Sequence, residues 1–140
     1  IKKGSKVMLV LKRHYQFWFA IVALHKIGAI VIPATNQLMK KDFIYRFNAA
    51  GVKAIVCTSD DGVLDHVDEA VPESPTLQIR CAVGNARDGW RDFNEEFKNY
   101  PDTFARDEGE NKVHGTDLML MYFTSGKFLS TISLTLYRFT

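Results

Sequence analysis

The sequence predicts an α/β protein of three layers, with a mostly parallel sheet between two layers of helices. Short apolar runs alternate with helix-length segments from residue 6 to residue 123. Most of these runs are nearly continuous in hydrophobic residues, which suits strands covered on both faces. Glycine or proline marks many of the boundaries. Strand–helix units of this length imply parallel strands joined by right-handed crossovers.

Each element has its own justification. Lys6 to Leu11 follows a Gly-containing turn and reads as the first strand. Tyr15 to Ile27 is apolar almost all round, so it predicts a buried helix, with Gly28 as its stop. Ala29 to Pro33 is a second strand, ended by its proline. Lys41 to Ala50 places Phe43, Ile44, Phe47 and Ala50 on one helical stripe before Gly51. Lys53 to Cys57 is a third strand. Thr58, Ser59, Asp60 and Asp61 then offer N-caps for a helix from Val63 to Val71, ending before Pro72. Leu77 to Val83 is a fourth strand. Trp90 to Tyr100 predicts a short helix with Phe93 and Phe97 four residues apart. Residues 101–117 are polar and loop-like, and Leu118 to Phe123 is a fifth strand.

A length of 140 residues fits one domain with a real core. The composition is that of an ordinary globular chain, which excludes disordered and collagen-like classes. The longest apolar run, Phe17 to Leu24, is too short to span a bilayer, so no membrane partner is expected. Cys57 and Cys81 lie in strand-like runs and read as reduced core residues, with a disulfide less favoured; together with the lack of a signal peptide this predicts a cytoplasmic location. The chain opens at Ile1 without an initiator Met, as expected of a piece of a longer protein or of tag removal.

Charge is unevenly distributed. Residues 1–59 hold ten Lys and Arg against one acidic residue, and residues 60–126 hold six against fifteen. A basic half can face an anionic ligand such as a nucleotide or coenzyme A, but solvated helix ends and turns account for Lys2, Lys3, Lys12, Arg13, Lys40 and Lys41 more simply. The lysines are not interleaved with aromatics, so no nucleic-acid partner is expected.

Ligands in parallel sheets bind beyond the carboxyl ends of strands. Thr124-Ser125-Gly126 stands at such an end, where backbone N–H groups and hydroxyls can meet phosphate oxygens or Mg²⁺. Taken alone, these three residues read first as a plain turn. They do not form a Walker loop, because Gly126-Lys127 lacks a following Ser or Thr. Gly84-Asn85-Ala86-Arg87-Asp88-Gly89 lacks the middle glycine of a dinucleotide fingerprint. Asp61, Asp65, Asp68 and Glu69, with His66, read as a solvated helix face rather than a metal site. His25 reads as a packing residue, and neither cysteine has an activating neighbour in sequence. No catalytic residue and no metal ligand is assigned.

Taken in order, these segments resemble the AMP-forming acyl-CoA synthetases of the adenylate-forming superfamily, of the acetyl- to medium-chain type. The resemblance rests on Ile1-Lys2-Lys3-Gly4-Ser5-Lys6-Val7-Met8, on Phe17-Trp18 through Leu24 to Ile30, and on Ile32-Pro33-Ala34-Thr35. Arg46-Phe47-Asn48-Ala49-Ala50-Gly51 and Tyr122-Phe123-Thr124-Ser125-Gly126 follow in the family's order, with Ser5 where Asp is more usual. It implies that residues 1–126 are part of an AMP-binding-type subdomain, the first of the N-terminal domain. It further implies ATP with Mg²⁺ as cofactors, coenzyme A and a carboxylic acid as partners of the whole enzyme, and Thr124, Ser125 and Gly126 as the front of the ATP phosphate loop.

The family loop continues with two hydroxyl residues, a glycine and a Pro-Lys pair. Here Lys127 and Phe128 replace the hydroxyls, Leu129 the glycine, and Thr131-Ile132 the Pro-Lys. The resemblance therefore implies an N-terminal fragment with an incomplete loop and no ligase activity of its own. A stand-alone α/β binding or interaction module is the alternative. Residues 127–140 read as a tail foreign to the family, from a frameshift or an artificial junction, with strand character over Leu129 to Phe139. Faces that meet the rest of such an enzyme would stay exposed, so self-association is expected.

Overall fold

A computed structural model describes residues 1–124 and the backbone of residues 136 and 137. Among the described residues, seven strands form one sheet: β1 Lys6–Val10, β2 Ile30–Pro33, β3 Val52–Thr58, β4 Ile79–Val83, β5 Arg91–Asp92, β6 Leu118–Leu120 and β7 Leu136–Tyr137. Four α-helices among the same residues accompany them: α1 Gln16–Lys26, α2 Lys40–Ala50, α3 Val63–Ala70 and α4 Phe93–Glu96. The strand order is β5-β4-β3-β1-β2-β6-β7. All pairs are parallel except β6 with β7, which is antiparallel.

Side chains of β1 alternate between two cores, as the pleat requires. Met8 and Val10 join Phe43 and Phe47 of α2 and Val63 and Val67 of α3 on one face. Val7 and Leu9 join Ala20 of α1 on the other, with Phe17, Leu24 and Phe93 packed against them. The three-layer expectation therefore holds. Phe43 and Phe47 are fully buried with centroids 5.5 Å apart; burying each ring contributes about 2–3 kcal/mol.

Local chemistry sets the helix ends. Asp42 Oδ2 accepts the Met39 backbone N–H at 3.0 Å, and Gly51 closes α2 in the left-handed conformation at φ 64°, a position where a Cβ is penalised. Two expectations need correction. The segment from Trp90 to Tyr100 is not one helix: Arg91–Asp92 pairs with β4 as a strand, α4 is one turn, and Phe97–Asn99 is a 3-10 turn. Asp92 accepts the Glu95 N–H at 3.0 Å, which starts the helix after the strand. Phe93 and Phe97 still stack, at 6.4 Å. Nor does any of residues 58–61 cap α3. Its N-cap is Gly62, because those four residues hold other partners at the sheet's edge.

The expected strand through Phe123 ends at Leu120, and that over Leu129 to Phe139 is described only at Leu136–Tyr137.

Candidate functional site

The carboxyl edge of the sheet is where the chain brings its polar residues together. The connection after β1 leads to α1 on one face, whereas those after its neighbours β2 and β3 lead to α2 and α3 on the other. Adjacent connections diverge at the end of β1, the position where ligands bind in parallel sheets. Three connections meet there. Lys12 Nζ lies 2.5 Å from Asp61 Oδ2, and Asn36 Nδ2 donates to the same oxygen at 2.7 Å. His14 Nε2 lies 2.9 Å from Thr58 Oγ1 and 3.4 Å from Asp60 Oδ2. Lys12 and Asp61 both have positive φ, 50° and 57°, a strained backbone that their mutual ion pair helps to hold. The bonds from Lys12 and then Asn36 keep the Asp61 carboxyl below the usual range.

Next to this cluster, Ser59 Oγ accepts the Asn85 N–H at 2.9 Å and ties the ends of β3 and β4. Farther along the edge, the chain leaving β6 leads to Thr124. Met121 N–H donates to Val31 O at 2.9 Å, which seats the strand exit beside β2. The Phe123 ring packs edge-on to Tyr45 at 6.0 Å, with the Arg46 guanidinium 5.1 Å from its centroid. Desolvation lowers the Arg46 pKa, against Asp42 and Tyr45, which raise it. Thr124 follows, exposed to solvent. Ser125 and Gly126 lie outside the described residues.

Other candidates resolve into structural roles. Asp68 is held by Arg80 at 2.5 Å and by Arg87 at 2.6 Å, accepts Trp90 Nε1–H at 2.9 Å, and Arg87 also reaches Asp65 at 2.7 Å. That part of the acidic helix face is a clamp on the segment after β4 rather than a freely solvated surface. His25 Nε2 meets Met119 O at 3.3 Å, joining α1 to β6. Cys57 and Cys81 are both free thiols. Burial pushes Cys57 far above its usual range and Cys81 up to about 11, so neither is poised as a nucleophile.

Sequence reasoning missed the cluster of Lys12, His14, Asn36, Asp60 and Asp61. Its available signal was the run Thr58-Ser59-Asp60-Asp61 at a strand end, which served equally well as a set of helix caps. Arg46 beside Phe123 had no signal beyond the family stretch.

The family described as AMP-binding enzyme matches residues 1–126. Among curated relatives, mitochondrial acyl-coenzyme A synthetase ACSM5 of Rattus norvegicus is 36% identical over 127 residues, covering 90% of this chain and 21% of the relative. Mitochondrial acyl-coenzyme A synthetase ACSM3 of Pongo abelii is 31% identical, with the same coverage. The chain thus spans about a fifth of the length of the curated relatives it matches. Among solved structures, the anthranilate CoA ligase AuaEII in complex with anthranoyl-AMP superposes with a TM-score of 0.81 at 17% identity, covering 90% of this chain and 23% of that one. The acyl-CoA synthetase of Brucella canis gives 0.71 at 23% identity, covering 91% and 22%. These structures share the fold. The relatives are mitochondrial by name, which overturns the cytoplasmic expectation.

Proposed function

The chain belongs to the AMP-binding enzyme family, and from that we propose that it is the N-terminal part of an acyl-CoA synthetase, inactive by itself. The whole enzyme would join a carboxylic acid to coenzyme A, converting ATP to AMP and pyrophosphate, in the mitochondrial compartment of its relatives. One observation carries this reading: a match to the AMP-binding enzyme family through residue 126, shared with acyl-CoA synthetase relatives and followed at once by Lys127-Phe128-Leu129 in place of the hydroxyls and glycine of the phosphate loop. Residues 1–126 are the family subdomain, and 127–140 are a tail foreign to it.

ATP with Mg²⁺, when bound, supplies the adenylyl group that activates the carboxylate. Exposed Thr124 at the sheet's carboxyl edge, with the Arg46 guanidinium by the neighbouring Phe123, suits a phosphate ligand. Thr124, Ser125 and Gly126 would hold the β- and γ-phosphates. The donors that follow in the family are missing, and phosphoryl chemistry depends on them.

The test is ATP–pyrophosphate exchange with a panel of carboxylic acids. The expected signal is no higher than that of a Ser125→Ala, Gly126→Ala control; a signal clearly above the control overturns the reading of inactivity. A second reading, a self-contained binding module, is favoured by β7, which pairs with β6 at the sheet's edge. Mg²⁺-dependent ATP affinity that is lost on changing Thr124 and Ser125 supports the first reading. A stable monomer whose ATP affinity is unchanged by those substitutions supports the second.

A further inference from the structure

A cleft of about 570 Å³ lies on the opposite, amino side of the sheet, between the first residues, the last turn of α1 and the connection before β6. Val22, Ile27 and Val113 give it an apolar lining. Lys2, Lys26 and Arg106 also line it, from three segments far apart in sequence. Other cations of the cleft are already engaged: Lys3 pairs with Asp117 at 2.8 Å and Lys112 with Glu108 at 2.7 Å. Lys2, Lys26 and Arg106 have no carboxylate within ion-pair distance among the described residues, although Asp107 and Glu108 also line the cleft and Glu108 feels the charge of Arg106. Lys26 Nζ stands 5.9 Å from the centroid of Phe104, whose side is open to solvent.

The carbonyl end of α1 accounts for a cation at Lys26. It does not account for Lys2 and Arg106, which reach the same cleft from other segments. Like charges gathered in a concave, partly apolar setting concentrate a counter-anion. A neighbouring aromatic ring adds a surface on which a planar group can stack.

We propose that this cleft binds a small phosphate-bearing ligand of the nucleoside diphosphate kind, at a site separate from Thr124. The diphosphate meets Lys2, Lys26 and Arg106, and the base lies against Phe104. This does not depend on the synthetase reading, because no residue of the phosphate loop takes part.

The test is calorimetric titration of the full chain with ADP at low ionic strength, since salt screens exposed charges. Saturable binding is expected, weakened about fivefold to tenfold by the pair Lys26→Gln and Arg106→Gln. Phe104→Ala should weaken ADP while leaving pyrophosphate unchanged. The charge-matched pair Lys41→Gln and Lys53→Gln, outside the cleft, should bind ADP as the unaltered chain does. Non-saturable binding or equal weakening by the charge-matched pair overturns the proposal. So does ADP binding that survives the Lys26 and Arg106 changes or ignores the loss of the Phe104 ring.

Discussion

Replacing Gly84 by alanine tests how the ends of β3 and β4 are joined at the carboxyl edge of the sheet. Gly84 has φ 111°, and a Cβ built there would stand 2.3 Å from Ser59 Oγ. Ser59 would have to turn away and release the Asn85 N–H it binds at 2.9 Å. Holding alanine at such a φ costs about 1–3 kcal/mol, and the lost hydrogen bond about 1 kcal/mol more. Gly84→Ala is therefore expected to destabilise the chain by about 2–4 kcal/mol. Ser59→Ala alone should cost about 0.5–1 kcal/mol, because the exposed Asn85 N–H can turn to water. In the Ser59→Ala background the collision is gone and the hydrogen bond is already lost. Only the backbone cost of Gly84→Ala remains, so the double variant should be more stable than the sum of the singles implies, by about 1 kcal/mol. Urea unfolding of the four proteins, with the slope checked for constancy, measures this. Additivity within about 0.3–0.5 kcal/mol would refute the reasoning.

Acid should reveal the anchor between the first residues and β6. Asp117 Oδ2 accepts the His114 backbone N–H at 2.6 Å and pairs with Lys3 at 2.8 Å, and these hold its carboxyl below the usual range. A depressed folded-state value stabilises fully above the unfolded value of about 3.9 and is lost as pH falls through the lower folded one. Asp117→Asn should thus be less stable than the unaltered chain at neutral pH, and the two urea midpoints should converge in strong acid; a gap unchanged down to about pH 2 would contradict this. A different surface should govern assembly. Tyr15, Trp18, Phe19 and Val22 are 64%, 66%, 52% and 54% exposed at the spacing of one helical stripe, so α1 is apolar outside as well as inside. Light scattering should find dimers or larger species that shift toward monomer with Trp18→Lys, and a monomeric unaltered chain at high concentration would sink the idea.

Much of the fold was legible because its signals are local. The Phe43, Phe47 and Ala50 stripe and the β-rich runs at residues 6–10 and 52–58 each appear at nearly the expected bounds. Desolvation acts on each run through its own residues, whatever its neighbours in space. Residues 90–100 were misjudged for the converse reason. Arg91 and Asp92 join the sheet because β4 offers them backbone partners, and local helical spacing cannot report a partner distant in sequence. The outward face of α1 misled in the same way: apolar residues all round imply burial, and only the folded chain leaves one side uncovered.

Of a candidate site, the sequence pointed only to the contiguous Thr124-Ser125-Gly126, of which the described residues include Thr124 alone. By itself the sequence determined most of the alternation of strands and helices, the buried stripe of Phe43, Phe47 and Ala50, and a family pattern that fails after Gly126. The tertiary structure decided which strand lies at the centre and which ends face one another. Lys12 and Asp61 are 49 residues apart, and His14 and Thr58 are 44 apart. They meet because β1 pairs with β3 rather than because of any spacing along the chain. Ion pairs and hydrogen bonds depend on distances of a few ångströms, and only the packed sheet sets those distances.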